Sequence, residues 1–167
     1  MKRSFCLILS VIAFALAAAG CSGGRKKPTV SMFDLSQRMT EANGNAENMA
    51  YASSSDKNAD ELLEHVSSID PNKVESFFIS YAKEGKGDAS EIVVIAVKQT
   101  GDAAEAADTL RKHIEKRIAL YETYDPAQAA VLRSAEVFTY EQYAVLIVSE
   151  NAEAVRRAFD GFVKTEN

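Results

Sequence analysis

The sequence predicts an α+β fold with a ββαββα core, a four-stranded, mostly antiparallel sheet packed by helices, behind an α-helical lead-in. Three observations carry that expectation. The runs IVVIAV (Ile92 to Val97) and AVLIV (Ala144 to Val148) are apolar on both faces, as buried strands require. Ala103, Ala107, Leu110, Ile114 and Tyr121 recur at helical spacing between them. Finally, the order of these patterns alternates strand pairs with single helices, which is how an α+β chain is written.

Taken in order, Met32, Phe33, Leu35 and Met39 place one short amphipathic helix between Val30 and Ala42. Glu41 to Asp60 is polar and rich in small residues, with no sustained period, and reads as a long loop. A second helix starts between Asp56 and Asp60, capped by Asn58 or Asp60, and turns Leu62, Leu63 and Val66 inward. Val74 to Ala82 and Glu91 to Gln99 form the first two strands, separated by KEGKGDAS with its two glycines. Asp102 is placed to cap the long helix, with Glu105 completing a capping box. Asp125 and Pro126 supply the cap and first position of a short helix. Ala135 to Tyr140 and Tyr143 to Ser149 make a hairpin around Glu141 and Gln142, and a last helix from near Asn151 offers Val155, Phe159, Phe162 and Val163 to the core. Because the two doubly apolar strands belong in the centre, the expected spatial order of the four strands is 1-2-4-3, every neighbouring pair antiparallel.

The N-terminus carries a different message. Lys2 and Arg3 precede an uncharged apolar run from Phe5 to Ala19, too short at this length for the roughly twenty residues a bilayer span needs. A basic start, an apolar centre and small closing residues describe an export signal. Its end, Leu16-Ala17-Ala18-Ala19-Gly20-Cys21, resembles a bacterial lipobox, in which the Cys receives a diacylglyceryl group and becomes the first residue after cleavage. Residues 1–20 are therefore expected to be a lipoprotein signal peptide, residues 21–30 a lipidated Cys and flexible tether, and residues 31–167 one extracytoplasmic domain. Several acyl chains, at about 0.8 kcal/mol per buried CH₂, hold far more firmly than a single myristoyl group. Cys6 falls in the signal and Cys21 is consumed by lipid, which leaves no thiol for a disulfide, a metal or a nucleophile.

Charge narrows the partners. The chain has a formal net charge of −5, and loss of Lys2 and Arg3 makes the remainder more acidic by two. A domain of that sign does not suit nucleic acid, which recruits clustered Lys and Arg. Arg25-Lys26-Lys27 is the one basic run; a plain solvated tether is the preferred reading, with contact to anionic headgroups beside the anchor as the alternative.

Few residues promise chemistry. Glu91 opens an apolar strand and Arg117 lies on the following helix, so a crossover can join them. A partly buried ion pair is the preferred reading, with a catalytic or ligand-binding carboxylate as the alternative. Tyr121, Tyr124, Tyr140 and Tyr143 are close enough in the predicted topology to form an aromatic patch, whether as core packing or as a carbohydrate or peptide platform. Asp56-Lys57-Asn58-Ala59-Asp60 imitates the start of a calcium loop, yet Glu61 stands where the turn needs Gly and Ser67 where it needs a bidentate Glu. His65 and His113 stand alone on their helices without ligand spacing and are expected at the surface or rim, so no metal is predicted. No Walker-type loop or His-Glu-x-x-His is present.

From about Met32 to Val163 the chain resembles the bacterial lipoprotein family known as domain of unknown function 4358. The resemblance rests on YAKEGKGDASEIVVIAVK, LRKHIEKRIALYETYDP, AEVFTYEQYAVLIVS and Phe159. Ser67-Ser68-Ile69-Asp70 and Glu141-Gln142 depart from the family's usual pattern. It implies a lipid-anchored extracytoplasmic domain with no assigned activity. Together these readings predict a membrane-tethered lipoprotein that binds a protein or envelope component without enzymatic activity, an envelope hydrolase built on Glu91 being the alternative. No cofactor is expected beyond diacylglycerol and an N-acyl lipid on Cys21. A solute-binding lipoprotein of a transporter fits poorly, because the chain has room for one domain where such proteins use two lobes.

Overall fold

The computed structural model describes residues 31–84 and 88–165. The elements run α1 (Met32–Ala42), β1 (Met49–Ser53), α2 (Ala59–Val66), β2 (Val74–Ala82), β3 (Glu91–Val97), α3 (Ala103–Tyr124), α4 (Pro126–Arg133), β4 (Glu136–Tyr140), β5 (Tyr143–Val148) and α5 (Ala152–Thr165). This is the α+β fold expected, but the sheet has five strands, in the order β1-β2-β3-β5-β4 and antiparallel throughout. The four expected strands keep their expected order.

The addition is β1, inside the stretch read as loop. It pairs along β2 from Met49 opposite Ala82 to Ser53 opposite Phe78, so β2 is an interior strand and not the edge. MAYAS holds two alanines and one serine, residues of weak strand preference, and its conformation is dictated by the ladder it joins rather than by its own composition.

Alternation along the strands divides the core in two. Val93, Ile95 and Val97 of β3, with Leu146 and Val148 of β5, face α2, α3 and α4. Ile92, Val94 and Ala96, with Val145 and Ile147, face α1 and α5. Both central strands are buried at every position, which is why their sequences show no polar face. On α5, Val155, Phe159, Phe162 and Val163 fall on one stripe and are buried. Phe159 is fully enclosed and makes T-shaped contacts with the rings of Phe138, Tyr140 and Tyr143 at centroid distances of 5.4, 6.0 and 6.1 Å.

Local chemistry sets the helix boundaries. The Asp125 side chain accepts from the amides of Ala127 and Gln128, each at 3.1 Å, with Pro126 at the first position of α4 as expected. The expected capping box on α3 does not form. A 3₁₀ turn over Thr100–Asp102 precedes the helix, Asp102 makes no side-chain cap, and Asp102 and Glu105 both turn to Lys73 at 3.3 and 2.6 Å. Asn58 likewise precedes α2 without a side-chain cap, and Asp60 lies within its first turn. The β4–β5 hairpin closes through Glu141, whose φ of 49° is a left-handed conformation that a side chain adopts only at a cost of about 1–2 kcal/mol.

Candidate functional site

The candidate site grows from the parity of β3. Glu91 shares the face of Val93 and Ile95, so its side chain is directed toward α3, whereas Ile92 looks the other way. On α3, His113 and Arg117 are four residues apart and therefore on one face, one turn after another. The two meet at Glu91: its Oε2 lies 2.8 Å from His113 Nε2 and 2.9 Å from Arg117 Nη1. Arg117 also donates from Nη2 to the Ala89 carbonyl at 3.2 Å and lies over the Tyr121 ring at 5.5 Å. The start of β3 is thus clamped to the middle of α3.

Glu91 is only 6 % exposed. Burial pushes its carboxyl upward, but the hydrogen bond with His113 and the charge of Arg117 outweigh that push and hold it below the ordinary value of 4.5. Both bonds fall on Oε2. Among the described residues Oε1 receives none, and Glu91 lines a cavity of about 420 Å³.

That cavity lies between α2, α3 and the strands β1 and β2. Its apolar side includes Leu62, Val66 and Ile79, and its polar side includes Asp88, Glu91, His113 and Arg117. Volume and mixed lining are those of a small-molecule site. Turn chemistry shapes its mouth. Asp88 accepts from the Ser90 amide at 2.7 Å and from Asn45 Nδ2 at 2.5 Å, while Gln128 Oε1 accepts from the Ala89 amide at 2.8 Å.

The expected Glu91–Arg117 pair is therefore present, and the structure adds His113 to it. His113 was expected at the surface or rim; its side chain is instead largely enclosed, bonded to Glu91. The i,i+4 spacing of His113 and Arg117, combined with the inward parity of Glu91, is the signal that finds it. His65 stays exposed and borders the same cavity from α2.

The four tyrosines do not form one patch. Tyr121 lines the cavity on the α3 side, and Tyr124, one turn on, is 78 % exposed. Tyr140 and Tyr143 pack on Phe159 across the sheet, where burial holds the Tyr143 phenol above its ordinary value. The sheet separates the two pairs because Tyr140 and Tyr143 face α5, not α3.

The segment resembling a calcium loop is a strand-to-helix turn, in which Asp56 accepts from the Ser53 amide at 2.6 Å. Among the described residues no three His, Cys, Asp or Glu side chains converge for a metal, and no helix is long and apolar enough to cross a membrane. Cys21 and the basic run Arg25-Lys26-Lys27 lie outside the described residues. Compared with known proteins, residues 50–149 match a family model described as a domain of unknown function (DUF4358). No curated protein and no solved structure matches the chain.

Proposed function

The chain belongs to the DUF4358 family of domains of unknown function, and we propose that it works as a lipid-anchored extracytoplasmic module that binds a ligand in the α2–α3 cavity without transforming it. The anchor is the diacylglyceryl and N-acyl lipid on Cys21, supported by the apolar run from Phe5 and the lipobox-like Leu16 to Cys21. Its partners are the membrane, through that lipid, and a component of the cell envelope, since the acidic balance does not suit nucleic acid.

The observation that carries the binding role is the state of Glu91. A carboxylate that exchanges protons in catalysis works best with its pKa near the operating pH. Glu91 is moved the other way, and its charge is already answered by Arg117 at 2.9 Å. Among the described residues, the one hydrogen bond of the His113 side chain goes to Glu91 and none to a hydroxyl that it could activate. A fixed, neutralised pair beside an apolar wall orients a guest.

Two measurements test the reading. Cys21→Ala moves the protein from the membrane to the soluble fraction; persistence in carbonate-washed membranes overturns the anchor. Full-length protein extracted in detergent retains a fraction of solubilised envelope material and leaves it uncleaved by mass spectrometry. Cleavage products that vanish in Glu91→Gln would establish the hydrolase instead.

A further inference from the structure

Beside the α2–α3 cavity lies a second one of about 280 Å³, and the two meet at Asp88 and Ser90, which line both. The second is polar in a particular way. Two of its side-chain amides, Gln128 and Asn151, are pinned at one end by the protein and left open at the other. Gln128 Oε1 is held by the Ala89 amide, and its Nε2 has no bond from the described residues. Asn151 Nδ2 donates to the Asn43 carbonyl at 2.9 Å, and its Oδ1 accepts none from them. The Asn151 backbone is fixed in turn by the hydrogen bond its N–H donates to Ser149 Oγ at 2.8 Å. Gly44, at a φ of +78°, brings the chain so close that a Cβ there would sit 3.3 Å from Asn151 Nδ2.

Taken with the first cavity, the open ends alternate in character. Gln128 Nε2 and the unused N–H groups of Arg117 donate. Glu91 Oε1 and Asn151 Oδ1 accept. An ammonium ligand only donates and a carboxylate ligand only accepts, so either would leave half of these groups unanswered. Hydroxyl groups do both. The Glu91–Arg117 pair is neutral as a unit, and the acids left along the groove, Asp88 and Glu150, turn away an anionic guest. Tyr81 and Tyr121 line the first cavity with aromatic surface suited to the C–H faces of a sugar ring.

We propose that the joined cavities form a binding groove for a short, neutral oligosaccharide, one ring against Tyr81 and Tyr121 and the next among Gln128 and Asn151. The proposal rests on the binding role given above and names its ligand class. The two adjoining spaces of about 420 and 280 Å³ give an elongated groove rather than a single-ring pocket.

The test uses full-length protein in detergent micelles on a printed array of neutral oligosaccharides, beside an array of short neutral peptides. At least one oligosaccharide is expected to bind. Gln128→Glu keeps the oxygen that accepts from Ala89 and replaces the open donor with an acceptor, and should weaken binding about tenfold without lowering the thermal unfolding midpoint. Tyr81→Ala, at the partly exposed rim, should weaken it to a similar degree. Binding of peptides alone, lost in Glu91→Gln, would overturn the oligosaccharide assignment while leaving the binding role standing. Binding to neither array would overturn both. Oligosaccharide binding indifferent to Gln128→Glu and Tyr81→Ala would place the sugar elsewhere and overturn the groove.

Discussion

Oε2 of Glu91 is shared by His113 Nε2 at 2.8 Å and Arg117 Nη1 at 2.9 Å, and this joint ties the first residue of β3 to the middle of α3. Removing one member of a buried, hydrogen-bonded pair strands the other charge, which typically costs about 3–5 kcal/mol. Arg117 keeps a fifth of its side chain in solvent, which places Glu91→Ala at the lower end. Glu91→Ala should therefore lower stability by about 3 kcal/mol and the midpoint by about 6–12 °C. Replacing Glu91 and Arg117 together with Met should recover part of the loss, since no charge is left stranded. A single variant as stable as the parent in thermal unfolding would show that the joint does not hold the helix.

The same joint gives stability a defined pH dependence. Glu91 ionises more readily folded than unfolded, because the His113 bond and Arg117 charge overcome its burial. The folded state thus binds fewer protons near this pH, and stability rises with pH there. The contribution is complete above the ordinary value of 4.5 and is lost as pH falls through the lower folded value. Arg117 keeps its charge throughout, and Asp88, which lines the same cavity, is present in both proteins to be compared. Urea unfolding of the parent and Glu91→Gln should differ above 4.5 and converge as pH falls through the lower folded value. A gap that widens as pH falls below 4.5 would contradict the direction of the shift.

Much of this architecture was legible because the chain writes it in apolar period. IVVIAV and AVLIV announce two strands buried on both faces, and the stripe on α5 announces its inner side. What stayed hidden depends on partners distant in sequence. MAYAS becomes a strand because β2 offers a ladder, and apart from Tyr51 little in its own composition asks for one. Asp102 and Glu105 look like a capping box and are diverted by Lys73, which lies 32 residues before Glu105. At the site, Glu91 and Arg117 were readable as a pair, whereas His113 required the inward face of β3 and the spacing on α3 to be considered together. The tyrosines misled for a related reason. A hairpin places Tyr140 and Tyr143 on a definite face of the sheet, and that face is opposite to the one Tyr121 meets.

Phe159 is the aromatic keystone of the α5 face. It is wholly buried and makes T-shaped contacts with three rings, and Arg156 of the same helix lies 3.6 Å above the Phe138 ring. Truncating such a side chain loses its transfer energy and leaves a cavity that the rings cannot close fully. Phe159→Ala should cost about 3–5 kcal/mol, and Phe159→Leu noticeably less. Because Phe159 lines neither cavity, oligosaccharide binding by the Leu variant should match the parent at temperatures where it is folded. Calorimetric unfolding measures the first effect and the printed array the second.

The free side of β1 offers the last test. Ser54 donates its amide to the Phe77 carbonyl, so the alternate residue Ser53 turns its own N–H away from β2. An edge amide of that kind is available to any passing strand unless something occupies it. Asp56 occupies it, accepting from Ser53 N at 2.6 Å and lying 3.5 Å from its Oγ. The turn that imitates a calcium loop therefore closes the end of the edge strand. Asp56→Ala should open the Ser53 amide to solvent, accelerating its hydrogen exchange, and lower stability by about 1 kcal/mol through the lost bond to a charged acceptor. Asp56→Asn keeps one acceptor oxygen and should restore part of the protection. Amide exchange followed by NMR reads the site directly, and unchanged protection of Ser53 in Asp56→Ala would show that the strand end is held by something other than this carboxylate.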